Sequence, residues 1–200
     1  MSVAGIVLAA GEGKRIGKNK ALLVIDGVTS LERVATCMLG AGCDPVVIVG
    51  GAEAERVKAE ALRLGVQFAL NNNWRRGQFS SLKTGAAELL GEKDSGPPVS
   101  GAVVALVDLP LVKKETYQAI AGTFRRFPDR IVIPTLQDRR GHPVVLPREL
   151  MLGILESPDG MSLRDVIRKR EDLVLEQAVD DVGILKDIDT ATDLGSLFKK

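Results

Sequence analysis

The sequence predicts the α/β fold class: a three-layer α/β/α sandwich on a Rossmann-like, mostly parallel sheet, with residues 1–200 forming one domain. Three observations carry this expectation. Short apolar runs rich in β-branched residues recur at 6–8, 46–49, 66–70 and 102–107. Amphipathic stretches of helical period lie between them, and such alternation calls for parallel strands joined by right-handed crossovers. The strands are apolar almost throughout, as a sheet covered on both faces requires.

Each element follows from local chemistry. The run Gly5-Ile6-Val7-Leu8 delivers the chain to Ala9-Ala10-Gly11. Leu31, Val34, Ala35, Met38 and Leu39 recur at helical spacing after a Thr29 or Ser30 cap, and Val57, Ala61, Leu62 and Leu64 do so after Glu53. A further helix is expected to open at Ser80 or Ser81, where Gly77-x-x-Ser80 is good capping chemistry. Residues 91–101, GEKDSGPPVSG, are the clear low-hydrophobicity loop, too short for a domain linker. After Phe127 the rhythm changes: an apolar run at 131–134, a polar turn at 137–141 and another run at 143–146 suggest a β excursion folding back toward the sheet. Helices are expected near 149–155 and 162–168.

Two hundred residues suffice to bury roughly 70% of the unfolded chain's surface, so a stable core is expected. The net charge of +1 argues against a nucleic-acid binder working through a basic face. One Trp, one Tyr and five Phe are too few for a base-stacking platform. No run reaches the ~18 apolar residues of a membrane span, and no basic segment precedes an apolar signal core, so a cytoplasmic protein without a membrane partner is expected. Cys37 and Cys43 lack CxxC spacing and read as small buried hydrophobes.

The most informative stretch is residues 3–20, VAGIVLAAGEGKRIGKNK, where an apolar strand runs into a glycine-rich loop studded with cations. Small side chains there let backbone N–H groups approach an anion closely. Lys14, Arg15, Lys18 and Lys20 follow a buried-type strand, at the place where open α/β sheets bind ligands. Two familiar phosphate motifs fail. Gly11, Gly13 and Gly17 leave three residues between the last pair where the dinucleotide fingerprint has two, and Val46 to Gly51 ends without an acidic residue. Gly17-Lys18 has Glu12 where a Walker A loop needs its first Gly, and Asn19 where it needs Ser or Thr.

What remains, L-A-A-G-x-G-x-R-I-G-x-x-K from Leu8 to Lys20, resembles the signature loop of the MobA-like nucleotidyltransferases, LAAGxSxRMGxxK. Gly13 replaces Ser, Ile16 replaces Met, and Asn19 stands where Pro is common. The resemblance implies a fold of the nucleotide-diphospho-sugar transferase type. It also implies that Leu8, Ala9, Ala10, Gly11, Glu12, Gly13, Lys14, Arg15 and Lys20, with Asp108, bind the nucleotide, its phosphates lying in the loop from Ala10 to Lys20. Arg15 and Lys20 would neutralise the departing pyrophosphate.

Further resemblances extend along the chain. Asp108 ends an apolar strand and is followed by Leu109-Pro110. An Asp there can cap the next helix, while ALVDLP looks like the family's metal-binding Asp followed closely by Pro, implying Mg²⁺ with one or two carboxylates plus phosphates and water. KDIDTATDL, residues 186–194, resembles the family's DIDTPEDL. Asp187 and Asp189 share one side of an extended segment; either can serve as a second metal ligand, and Asp189 can instead cap the last helix. NWRRGQFSSL, residues 73–82, resembles NxxWxxGMxxSL, with Gln78 in place of Met, which implies that Gly77, Ser80 and Ser81 lie near the base. Trp74 reads as a packing anchor. His142 is the chain's one histidine, so neither a hydrolase triad nor a His-based metal centre is supported. RGHPVVL looks like the GHPV element of the molybdenum-cofactor branch, assigning Arg140 and His142 to the acceptor side.

The resemblance implies transfer of CMP from CTP to molybdopterin, because LAAG looks like the cytidylyltransferase branch while the guanylyltransferase branch tends to have LAGG. The methyl of Ala10 carries that distinction. A molybdoenzyme client is a further implied partner. The alternatives are another phosphorylated acceptor or GTP, a non-catalytic cofactor chaperone, and a nicotinamide oxidoreductase disfavoured by the failed fingerprint.

Overall fold

Val3–Leu8 (β1) is buried at every position, a pattern open only to a strand covered on both faces. In the computed structural model, which describes residues 2–13, 17, 19–91, 98–188 and 193, β1 is followed by a short hairpin, Val24–Ile25 (β2) and Val28–Thr29 (β3). The chain continues through Ser30–Gly40 (α1), Val46–Gly50 (β4), Ala54–Arg63 (α2), Gln67–Leu70 (β5), Gln78–Leu90 (α3) and Gly101–Leu106 (β6). Then come Lys114–Arg126 (α4), Ile131–Leu136 (β7), Arg139–Arg140 (β8), Val144–Pro147 (β9), Arg148–Glu156 (α5), Leu163–Lys169 (α6) and Val174–Ala178 (β10).

The central sheet runs in the order β10-β7-β9-β6-β1-β4-β5. Its pairs are parallel from β6 through β5 and between β7 and β10, whereas β9 is antiparallel to both β6 and β7. The expected mostly parallel sandwich is therefore present. The run near 143–146 proves to be an internal strand: β9 lies between β6 and β7, so what the sequence suggested as an excursion completes the sheet.

Alternate residues of β1 serve opposite cores, as the period of two demands. Val3 and Val7 join α1 and α4, the latter through Tyr117, Ile120 and Phe124. Ala4, Ile6 and Leu8 join Leu82 and Ala86 of α3 and Met151 and Ile154 of α5. A Cβ on Gly85 would lie 2.6 Å from Ile6 Cγ2, so the missing side chain lets α3 sit directly on β1. Cys43 is a buried free thiol whose pKa burial pushes up to about 12, as expected of a small packed hydrophobe, whereas Cys37, also a free thiol, is only partly buried against the same core. No helix among the described residues is long and apolar enough to cross a membrane.

The chain returns to the central strands through residues 181–188. Asp181 is buried and accepts from the Lys113 N–H at 2.8 Å, the Thr116 hydroxyl at 2.6 Å and the Gly183 N–H at 2.9 Å. It thereby supplies, from far along the chain, the acceptor that the start of α4 lacks locally. Gly183 then passes so close to Leu111 that a Cβ would meet its carbonyl oxygen at 2.5 Å. Ile188 packs with Leu23 and Ile25 in a small separate cluster.

Candidate active site

The parallel strands β1, β4, β5 and β6 all end at one edge of the sheet, so the four loops that follow them converge there. Between them opens a cleft of about 700 Å³. Leu8, Ala10, Gly11, Glu12, Gly13, Lys20, Gly77, Ser81 and Asp108, all singled out from the sequence, line it. Trp74, Arg75, Gln78 and Val107 complete the lining and were not among the predicted site residues.

The glycine-rich loop is closed by one backbone unit. Ala52 donates its N–H to the Ala10 carbonyl at 3.0 Å and accepts at its own carbonyl from Asn19 Nδ2 at 3.2 Å, so both ends of the loop are fastened to the same residue. Ala9 is held in the same way, its N–H bonded to the Val49 carbonyl at 2.9 Å. Ala9 is buried and acts through its backbone, outside the cleft lining. Asn19 is 4% exposed, and its Oδ1 accepts from the Ala21 N–H at 3.0 Å. Its φ of −64° is the value that proline fixes, so the Asn found here and the Pro of the family pattern suit one backbone shape. Gly13 adopts φ +63°, left-handed geometry that a Ser accommodates poorly.

Lys20 and Asp108 meet in the cleft: Lys20 Nζ lies 3.1 Å from Asp108 Oδ2, with side chains 19% and 26% exposed. A cation thus already faces this carboxylate. The Asp108 carbonyl accepts from the Ile188 N–H at 2.8 Å, which brings the chain around Asp187 to the same place. With the Ile188 side chain turned inward, its neighbour Asp187 is exposed. Lys14, Arg15 and Asp189, all named from the sequence, lie outside the described residues.

On the opposite wall, Asn71 is a positioning residue that sequence reasoning missed. Buried to 3% exposure, it donates through Nδ2 to the hydroxyls of Ser80 at 2.9 Å and Ser81 at 3.0 Å, and its Oδ1 accepts from the Asn73 N–H at 2.8 Å. Ser81 lines the cleft, whereas Ser80 spends its hydroxyl on the carbonyls of Gly77 and Asn73. The helix begins at Gln78, earlier than the expected Ser80 or Ser81, because Gly77 makes the turn at φ +98° and ψ 179°, a combination open essentially to glycine. Trp74 anchors the wall as expected, since a Cβ on Gly51 would lie 2.6 Å from its Cβ, and it also faces the cleft beneath the Arg75 guanidinium, 4.2 Å from the ring centre.

Arg140 and His142 lie apart from this cleft, in a neighbouring groove. Arg140 is held by Glu171 and by Glu176 at 2.7 Å. His142 donates its backbone N–H to the Ile184 carbonyl at 3.1 Å, and its buried Nδ1 has no hydrogen-bond partner among the described residues. Burial pushes the imidazole below its ordinary range, a shift opposed by the charge of Asp108 and by the Val104 carbonyl.

The description "MobA-like NTP transferase domain" matches residues 5–174. The chain belongs to the MobA-like NTP transferase family. It is accordingly a nucleotidyltransferase, with the cleft at the edge where sheets of this type bind ligands. It is 33% identical to the nicotine blue oxidoreductase of Paenarthrobacter nicotinovorans over 98% of this chain and 96% of that one. A probable molybdenum cofactor guanylyltransferase of Opitutus terrae is 36% identical, over 43% of this chain and 42% of that protein. Among solved structures, Rv0371c of Mycobacterium tuberculosis H37Rv superposes with a TM-score of 0.80 at 26% identity, covering all of both chains. A manganese complex of the same protein gives 0.78 at 25% over 98% of each chain. MobA-like membership accounts for the glycine-rich loop that satisfied neither common phosphate fingerprint.

Proposed function

We propose that this MobA-like protein transfers CMP from CTP to the phosphate of molybdopterin and releases pyrophosphate, with residues 1–200 acting as one transferase domain. The observation that carries the reading is the Lys20–Asp108 pair facing the glycine-rich loop across the cleft. In this reading the nucleotide phosphates lie along residues 10–20, with Arg15 and Lys20 balancing their charge, and the base lies near Gly77 and Ser81. A phosphate oxygen of the acceptor attacks the α-phosphorus of CTP in line. A new phosphoanhydride bond forms as the α–β bond breaks, and pyrophosphate departs with the bonding electron pair. The attacking oxygen is already ionised, so this chain needs no dedicated base; positioning and charge balance carry the catalysis.

A divalent ion fits the donor set here, because Asp108 offers a partly exposed carboxylate that already attracts a cation, and oxygen donors suit Mg²⁺ or Mn²⁺. Asp108 with Asp189 or Asp187 would hold Mg²⁺, which would supply further neutralisation of phosphate charge. The manganese complex of Rv0371c supports a divalent-ion requirement. The choice of CTP is supported by Ala10, whose methyl stands against Gly51 beside Trp74 and narrows the wall that a base would face. On the acceptor side stand Arg140 and His142, with a molybdoenzyme as eventual recipient of the product and the cytoplasm as the expected setting.

Pyrophosphate release from CTP and from GTP, with Mg²⁺ and molybdopterin, tests the proposal. CTP should be the better donor. Lys20→Ala and Asp108→Ala should each abolish turnover, while losing a partly exposed pair worth at most about 1 kcal/mol should move Tm by only about 2–4 °C. If neither nucleotide gave pyrophosphate, the reading would be wrong. A second reading, oxidoreduction, is favoured by the full-length likeness to a protein named nicotine blue oxidoreductase. Oxidation of NADH or NADPH by the same preparation, followed by absorbance with nicotine blue as acceptor, would support it.

A further inference from the structure

The cleft does not end at Asp108. Leu8, Gly77 and Gln78 line both it and a narrower passage of about 200 Å³. His142, Ser162 and Leu163 in turn line both that passage and an outer groove of about 480 Å³. Gln78 borders all three spaces. The outer groove has apolar walls, Ile133 and Val144 from the sheet facing Leu163 and Ile167 from α6. Such a slot takes a body with apolar faces.

Three arginines reach this groove, and they differ in their commitments. Arg140 is engaged by Glu171 and Glu176, and Arg168 by Asp165 at 3.3 Å. Arg164 is exposed and has no hydrogen bond or ion pair among the described residues. It also sits in the first turn of α6, where the helix dipole disfavours a cation, so helix stability does not explain it. Gln78, standing where the family pattern has Met, places an amide donor and acceptor at the junction of cleft and passage.

Building on the transferase reading above, we propose that the acceptor is an elongated molecule that fills the passage and the outer groove. Its phosphate lies at the Asp108 end and its ring body runs past Gln78 between the sheet and α6. A polar or anionic group at its far end is received by Arg164. Arg164 and Gln78 are then specificity-determining residues for the acceptor, and Arg164, which lines the outer groove and not the cleft, has no part in holding the nucleotide. A short acceptor such as glycerol 3-phosphate can occupy only the Asp108 end.

The test is steady-state pyrophosphate release by wild type, Arg164→Met, Arg164→Lys and Gln78→Met, with molybdopterin or glycerol 3-phosphate as acceptor. Both side chains are exposed, so the variants should fold. Arg164→Met is expected to raise the molybdopterin KM about tenfold through loss of one charge-assisted contact, with the CTP KM unchanged and the lysine variant restoring most of the loss. Gln78→Met should shift the same constant in the same direction. Turnover with an unaltered molybdopterin KM in both methionine variants, or an equal rise in the CTP KM of Arg164→Met, overturns this inference alone. No pyrophosphate from wild type with either acceptor overturns the transferase reading and this one with it.

Discussion

Ile188 donates its backbone N–H to the carbonyl oxygen of Asp108 at 2.8 Å, while its side chain packs with Leu23 and Ile25. The last described stretch of chain is thereby fastened to the backbone of the cleft's central acidic residue, and Asp187 is carried to its neighbourhood. Ile188→Ala should cost about 2 kcal/mol, the low end for a buried isoleucine in so small a cluster, and lower Tm by roughly 4–8 °C. It should also weaken Mn²⁺ binding, followed by electron paramagnetic resonance, although it removes no carboxylate. Undiminished Mn²⁺ affinity would mean that the attachment has no bearing on a metal site.

Two glycines of the cleft region should respond in opposite ways to the same substitution. A Cβ on Gly11 meets nothing within 4 Å, and Gly11 is not among the positive-φ residues, so Gly11→Ala should leave Tm unchanged or slightly raised. The added methyl would project where a phosphate is expected, so the CTP KM should rise severalfold. A Cβ on Gly51 would lie 2.6 Å from Trp74 Cβ and 2.9 Å from Ala10 Cβ, so Gly51→Ala should cost about 1–3 kcal/mol. Thermal melts and CTP kinetics on the two proteins check both halves; a Gly11→Ala enzyme with ordinary CTP kinetics would remove that residue from the nucleotide site.

The imidazole of His142 binds its proton less readily in the fold than in the unfolded chain, because burial disfavours the charged form. Its stabilising contribution is therefore complete above the ordinary value of 6.5 and is lost as pH falls from there toward the lower folded value. Tm should drop more between pH 7.5 and about 5.5 in the wild type than in His142→Gln, whose side chain does not titrate. Parallel curves for the two proteins would show that the burial of this ring has no such linkage.

The strands most readily recognised from sequence were those whose composition is dictated by burial on both faces: β1, β4 and β6 read as uninterrupted apolar runs, while the more exposed β5 stood out through Phe68, Ala69 and Leu70 despite Gln67. Residues 114–126 were not recognised as α4, although Tyr117, Ile120, Ala121 and Phe124 have helical spacing, because charged residues surround them. The β2–β3 hairpin was signalled by Asp26-Gly27, both at positive φ (48° and 86°), a turn chemistry that was overlooked. β10, Val-Leu-Glu-Gln-Ala at the edge of the sheet, is neither a continuous apolar run nor an alternating one and gave only a weak signal. In the cleft, the loop residues stood out by chemistry. Asn71, Asn19 and Asp181 did not, because a buried amide or carboxylate is recognisable as a positioning group only once the backbone donors and acceptors around it have been brought there by the fold.

β9 runs against β6, with Val144 opposite Val104 and Pro147 opposite Gly101. The residues before β9 consequently emerge at the same edge as those after β6, which is how His142 and Asp108 come to share one end of the molecule. The direction of a single strand thus divides the surrounding loops into two kinds. Segments grafted or lengthened between β8 and β9 would be delivered to the working edge and could retune what the protein accepts. The same change at the junction of β9 and α5 would emerge at the far edge, where it should alter nothing but the surface.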